Sequence, residues 1–377
     1  MFKKILTAMI AVIFFTAAGN VNAALPKPNA WQPEVLIGLL GNVQQVNLSF
    51  SAPCVMTDTL TKQQIQKVSA GKDLYIDVSS MPANSIEIRG DKVALKDLQV
   101  WVNGVMYFGG IKILKKGTTI TVINIAPVEE YLRGVLPNEM IQSWHLEALK
   151  AQAVAARTFV LKNRQRHKNE GYELCATTHC QVYNGMKTFD TTDRAILVTC
   201  GEVVYQGGRT VDAPFHADSG GMTESAENVW GAKVAHLQAV AEDETQTQAW
   251  TVKFTVKDFS SRMGNAFGTL QRFSLTPLTI GKSAADRTTS GRVKYAKIIG
   301  SGKTVQMKGD EMRRKFSLLS TLFDVKIENG EVIFSGYGKG HGVGLSQYGA
   351  KHYAEKGWTY DKILSHYYKG ATIKKLY

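Results

Sequence analysis

The sequence predicts an α+β fold: a largely β framework, a helical segment at about 127–166 and a C-terminal helical pair. Three observations carry this. Short β-branched or alternating runs, separated by Gly and Asn turns, fill residues 35–126. A stretch rich in Ala, Leu, Lys and Arg follows Pro127, with Leu146, Leu149, Ala153, Ala156 and Val160 at helical spacing. Near the C-terminus a Gly-rich loop at 336–344 runs into two more helical patterns. Hydrophobic residues make up 44% and charged residues 20%, which excludes disorder, collagen and coiled coil as the main state.

Taken in order, residues 1–23 read as a secretory leader. Lys3-Lys4 precede an apolar run at 5–18, and Val21-Asn22-Ala23 suits cleavage after Ala23. That run falls short of the roughly 20 residues a spanning helix needs. No later stretch is apolar for 18 residues, so the mature chain is expected outside the cytoplasm, in the periplasm or extracellular envelope, without a stable membrane span. Strands are expected at 35–40, 45–50, 74–78, 98–102 and 119–125, with Asn103-Gly104 as a two-residue hairpin turn. Pro127 and Glu129-Glu130 suit a helix start, Pro137 an interruption after Leu136, and 146–166 one long helix. Strands follow at 196–199, 203–205, 214–217 and 331–334. Helices follow at about 345–356, stopping at Gly357, and 360–368. Residues 250–335 give little pattern.

The formal charge is +13, of which Lys3 and Lys4 of the leader carry two. Such a surplus predicts an anionic partner, and export makes an envelope polymer a better one than nucleic acid. Glu139 stands at a helix break among Leu136, Pro137, Met140 and Trp144. A carboxyl among apolar groups is raised in pKa, the state a general acid needs at neutral pH. The plain alternative is a Glu near a helix-end dipole. Cys175, His179 and Cys180 offer three soft ligands within six residues. His167, eight residues upstream of Cys175, is the candidate fourth for a tetrahedral zinc. The rival is a Cys175–Cys180 disulfide, which export favours. Cys54 and Cys200 are then a long-range disulfide or two buried thiols.

Three segments in order resemble the sporulation stage II protein D family. They are Tyr131–Phe159 with its Pro137-Asn138-Glu139-Met140 box, Phe215–Glu224 followed by Val229-Trp230-Gly231, and 336–350 ending in 363–370. The resemblance is strong over 119–231 and 335–377. It implies a core at 119–377 with a poorly matched insert at about 235–330, and a β-rich region at 24–118 that is either separate or integral.

What the resemblance implies is work on peptidoglycan glycan strands by a lytic transglycosylase. Such an enzyme cleaves the β-1,4 bond after N-acetylmuramic acid on glycan stripped of stem peptides and leaves a 1,6-anhydro end. Glu139 is the implied catalytic residue. One carboxyl suffices if the sugar's own 6-hydroxyl is the nucleophile, whereas ordinary glycosidases use two. The other two segments are expected to line the glycan groove. Gly220 and Gly221 would let backbone approach the sugar, and His216, Ser219 and Thr223 would offer hydrogen bonds. His341, Ser346, Gln347 and Tyr348 would come from the second loop, although His341 read alone is as well explained as a structural hydrogen-bonder. The family also supports a structural zinc in the 167–180 region, and no organic cofactor is implied. Some members are amidase enhancers that need not cut, so a cell-wall amidase is the alternative partner. Where the family often has Tyr-Leu after the Trp-Gly pair, this chain has His236-Leu237.

Overall fold

The computed structural model describes residues 31–243 and 248–377; the leader expected at 1–23 lies outside the described residues. A seven-stranded sheet runs Leu174–Cys175, Glu34–Val43, Thr119–Pro127, Gly110–Lys116, Ser85–Gly90, Cys54–Asp58 and Gln64–Val68. A four-stranded sheet runs Leu74–Asp77, Gln45–Phe50, Gln99–Val102 and Val105–Phe108. Alternate residues of both sheets, such as Leu48, Phe50 and Val100 with Ile86, Ile88, Ile111 and Ile113, join one buried core. Burying each such side chain contributes about 1.5–3 kcal/mol. The fold is therefore α+β with a largely β framework.

The expected hairpin is present. Asn103 and Gly104 both take positive φ, at 49° and 83°, and Val102 pairs with Val105. Glu34–Val43 pairs antiparallel with Thr119–Pro127, and its partner on the other side is the parallel strand Leu174–Cys175. The N-terminal strand Glu34–Val43 is thus hydrogen-bonded directly to the strand that runs into the helix after Pro127 and to the strand that holds Cys175.

Helix α1 spans Val128–Glu139 and α2 spans Leu146–Lys162. Pro137 does not end α1, as its helix-breaking character predicts; it lies inside the last turn. Asn138 Nδ2 donates to the Gly134 carbonyl at 2.6 Å there, and the Met140 N–H reaches the Leu136 carbonyl. Helix α2 stops four residues before the expected Arg166. Its C-cap Asn163 turns its side chain back to the Phe159 carbonyl at 3.0 Å. The strand expected at 196–199 is instead part of helix α3, Asp190–Val198. Its β-branched run misled, while Asp190 and Asp193 favour the helix N-terminus and the buried Thr192, Ala195 and Ile196 fall at helical spacing.

Helix α2 is buried along most of its length, packed by α1, α3 and the helices Gln347–Glu355 and Tyr360–Tyr367. In this packing Arg157 meets Glu129 of α1 through two hydrogen bonds of 2.8 and 2.7 Å, both side chains fully enclosed. A second, smaller core fills the poorly patterned region. Strands Ala249–Thr255, Glu331–Tyr337 and Phe323–Glu328 form one sheet, and Leu270–Ser274, Tyr295–Gly300 and Thr304–Lys308 another. Phe259 stacks on Phe316 at 4.5 Å between them. Among the described residues no helix is long and apolar enough to cross a membrane.

Candidate active site and metal cluster

The three motif segments meet in space. The short strand Phe215–His216 pairs in parallel with Leu345–Ser346, so the second and third motifs are fixed to each other by register. The end of α1 and the loop after Cys175 close the other side. The result is a cleft of about 640 Å³ whose lining includes Glu139, Val182, His216, Arg313, His341 and Gln347.

Glu139 is the last residue of α1, away from the N-terminal dipole that would favour its charge. Its Oε1 accepts the Val182 N–H at 3.1 Å, and the Gln347 side chain also hydrogen-bonds the carboxyl. Burial pushes this carboxyl up, and those two hydrogen bonds pull it back only in part. The burial comes from distant segments. Trp144, expected to shield Glu139 locally, packs its ring on Tyr348 at 5.0 Å and does not line the cleft.

His216 and His341 lie 5.5 Å apart, ring to ring. His216 donates from Nδ1 to the Val343 carbonyl at 3.1 Å. His341 accepts the Val343 N–H at 3.0 Å on Nδ1 and also hydrogen-bonds the Phe215 backbone. Burial, then Arg313 and Arg292, push His341 down to about 4, so its ring is neutral. With both nitrogens engaged by backbone, His341 holds the two loops together.

The other expected groove residues lie behind the cleft wall. Ser219 is fully buried, donating to Glu242 Oε2 at 2.7 Å, and its N–H reaches Ser346 Oγ at 3.3 Å. Ser346 caps the helix Gln347–Glu355 by accepting the Gly349 N–H. Thr223 exchanges hydrogen bonds with Val240. Gly221 donates to Ser219 Oγ. Gly220 has φ +81°, and a Cβ there would meet Leu322 at 2.5 Å, so its close neighbour is protein. Gly344 behaves alike: φ is +73°, and a Cβ would meet the Pro214 carbonyl oxygen at 2.1 Å. Tyr348 donates its backbone N–H to the Ala217 carbonyl. His236 is buried against the Asp212 carbonyl and is no part of the cleft lining.

Several lining residues escape sequence reasoning. Val182 acts through its backbone, which no motif marks. Arg313 belongs to the weakly patterned insert. Outside the cleft lining, the buried Glu242, held by Ser219 and by Tyr367 at 2.8 Å, carries no local signal either.

The metal ligand set is brought together as spaced. Ligand atoms of His167, Cys175, His179 and Cys180 all lie within 4.8 Å of one another. His179 Nδ1 is 3.3 Å from His167 Nε2 and 3.7 Å from each sulfur. A tetrahedral zinc, with bonds of about 2.0–2.3 Å, sets its ligands about 3.3–3.8 Å apart. Two thiols and two imidazoles are therefore a donor set that fits this ion. All four cysteines are thiols here, Cys54 and Cys200 both buried. Burial opposes the Cys175 thiolate, but hydrogen bonds from Thr177 and Cys180 outweigh it and hold the thiol below its usual value. Burial lifts Cys180 to about 11 in the absence of an ion. Cys175 is anchored by the sheet, paired with Gly38.

A family model described as stage II sporulation protein matches residues 116–205, and one described as a domain of unknown function matches 222–344. Stage II sporulation protein D of Bacillus subtilis is 31% identical over 271 residues, covering 66% of this chain and 75% of that protein. The chain belongs to the stage II sporulation protein D family. An uncharacterised protein of Brachyspira hyodysenteriae is 33% identical over 72% of this chain and 73% of its own length. The amidase enhancer of Bacillus subtilis is 30% identical over 64% of this chain, which spans only 40% of that longer protein. Glu139, Val182 and the four-residue ligand cluster all lie within the segment that the sporulation family model matches.

Proposed function

We propose that this protein is a lytic transglycosylase of peptidoglycan glycan strands, working outside the cytoplasm after loss of the leader at 1–23. The observation that carries the reading is the composition of the cleft. Glu139 is the one carboxylic acid among its described lining residues, against Arg166, Arg313 and Lys339. A two-carboxylate hydrolysis has no second group there, whereas an intramolecular attack needs none.

In this mechanism the protonated Glu139 gives its proton to the glycosidic oxygen as the C1–O bond breaks, the electron pair leaving with that oxygen. The carboxylate then takes the proton of the sugar's 6-hydroxyl as that oxygen bonds to C1, and Glu139 is ready again. Burial of the carboxyl favours the protonated form that this step needs. Val182 and Gln347 hold its orientation. His167, Cys175, His179 and Cys180 would hold a zinc with four protein ligands and no open position. Its contribution would be structural, setting the loop that presents Val182.

A second reading is favoured by the amidase enhancer relative: a peptidoglycan-binding protein that stimulates a cell-wall amidase without cutting glycan. The two readings separate on the Glu139→Gln variant. Stimulation of a purified amidase that survives this change, together with no glycan product from the wild type, supports the enhancer. Glycan cleavage by the wild type alone supports the transglycosylase.

A further inference from the structure

A second cleft of about 560 Å³ adjoins the first, and the two share Trp230, Arg313 and His341. Trp230 ends the short helix Ala226–Trp230, where Gly231 at φ +79° turns the chain away. Its indole is 50% exposed and rests against the His341 ring at 5.4 Å. A large flat apolar surface left open at the meeting of two clefts is what the apolar face of a pyranose packs against.

Arg313 comes from the helix Gly309–Lys315. Among the described residues its guanidinium makes no ion pair, because the nearby Asp310 is taken by Arg314. Behind it Arg292 is fully enclosed. Its Nη2 donates to the Ser219 carbonyl at 2.6 Å, while Nε and Nη1 have no partner among the described residues. Burial brings Arg292 down to about 10; Glu224, Asp218 and Glu242 oppose that drop, and Arg313 adds to it. His341, held neutral, adds no positive charge of its own. The facing acid Glu224 is committed to Ser225, Asn228 and Ser290. The second cleft also carries Glu227, Asp310 and Glu311, so its field is mixed. Within it the half-buried Arg313 guanidinium, which also lines the first cleft beside Arg166 and Lys339, has no ion pair among the described residues, and a carboxylate placed there would stabilise it.

We propose that this junction is a subsite for a carboxylate-bearing sugar ring, with Trp230 against the ring face and Arg313 paired to the carboxylate. The proposal rests on the reading of the cleft as a glycan site, and it assigns the selection of an acidic over a neutral sugar to Arg313. An N-acetylmuramic acid residue with a free lactyl carboxylate has this chemistry; an N-acetylglucosamine residue lacks it.

The test is titration calorimetry on the full mature chain carrying Glu139→Gln, which prevents turnover. The ligands are a tetrasaccharide alternating N-acetylglucosamine with N-acetylmuramic acid, and a neutral N-acetylglucosamine tetrasaccharide. Adding Arg313→Ala should weaken the acidic ligand about tenfold and leave the neutral one within about twofold. Arg313→Lys should recover part of the loss. Trp230→Ala should weaken both ligands. Circular dichroism on each variant checks the fold, and both side chains reach the surface. Equal loss for both ligands with Arg313→Ala, or no loss, overturns the subsite. If the Glu139→Gln protein binds neither ligand, the glycan-site reading falls with it. If it binds with the expected selectivity while the wild type yields no cleavage product, only the catalytic reading falls.

Discussion

The backbone N–H of Val182 donates to Glu139 Oε1 at 3.1 Å, and Val182 lies two residues beyond Cys180 of the ligand cluster. The group that orients the candidate acid is thereby tied to the loop that the cluster would set. Removing the metal should loosen that loop and release one hydrogen bond from Glu139. Elemental analysis should give one zinc per chain. Chelation, or Cys180→Ser, should lower Tm by about 4 °C or more and reduce glycan cleavage. A Cys175–Cys180 disulfide in metal-free protein of unchanged Tm would contradict this role.

Glu139 should also show itself in stability against pH. Its folded carboxyl is raised above the ordinary 4.5 by burial, so the folded state holds its proton more tightly than the unfolded one. Stability then falls as pH rises through the window between 4.5 and the raised value. Glu139→Gln removes this cost. Its Tm should match the wild type at pH 4 and exceed it at pH 8. A Tm gap independent of pH would mean that the carboxyl is not held in a desolvated site.

The Arg157–Glu129 pair should dominate local stability. Glu129 also accepts the Gly201 N–H and the Tyr377 hydroxyl, so Arg157→Met strands a buried carboxylate with neutral partners only. The expected loss is about 3–5 kcal/mol in urea unfolding. A loss below about 1 kcal/mol would show that water reaches the site.

Gly344→Ala meets two obstacles at once, a positive φ and the Pro214 carbonyl oxygen. It should cost more than about 1 kcal/mol. Because Leu345 and Ser346 pair with Phe215 and His216, it should also weaken glycan binding by shifting the two motif segments. Unchanged urea unfolding would place the strain elsewhere.

Local chemistry made much of this legible. Alternation marks the β framework, Asn103-Gly104 marks its turn, and the spacing of Cys175, His179 and Cys180 marks the cluster. Glu139 is legible from its apolar neighbours, but Trp144 packs on Tyr348 and does not line the cleft; the burial that raises the carboxyl is opposed by hydrogen bonds from Val182 and Gln347. Helix α3 is not legible locally, because Ile196 to Thr199 favour strands until Thr192, Ala195 and Ile196 find a core to face. Gly220 and Gly221 signal tight backbone, yet glycine does not tell whether a sugar or Leu322 comes close. The meeting of Trp230 with Arg313 joins residues 83 apart in sequence through the second core, and no local pattern encodes that.

The central claim is that one buried carboxyl cuts glycan. It is tested most directly by incubating the mature chain with glycan stripped of stem peptides and analysing the products by mass spectrometry. The wild type should yield 1,6-anhydromuramic ends, and Glu139→Gln at least about a hundredfold less. No anhydro product from the wild type, or equal product from both proteins, would contradict it.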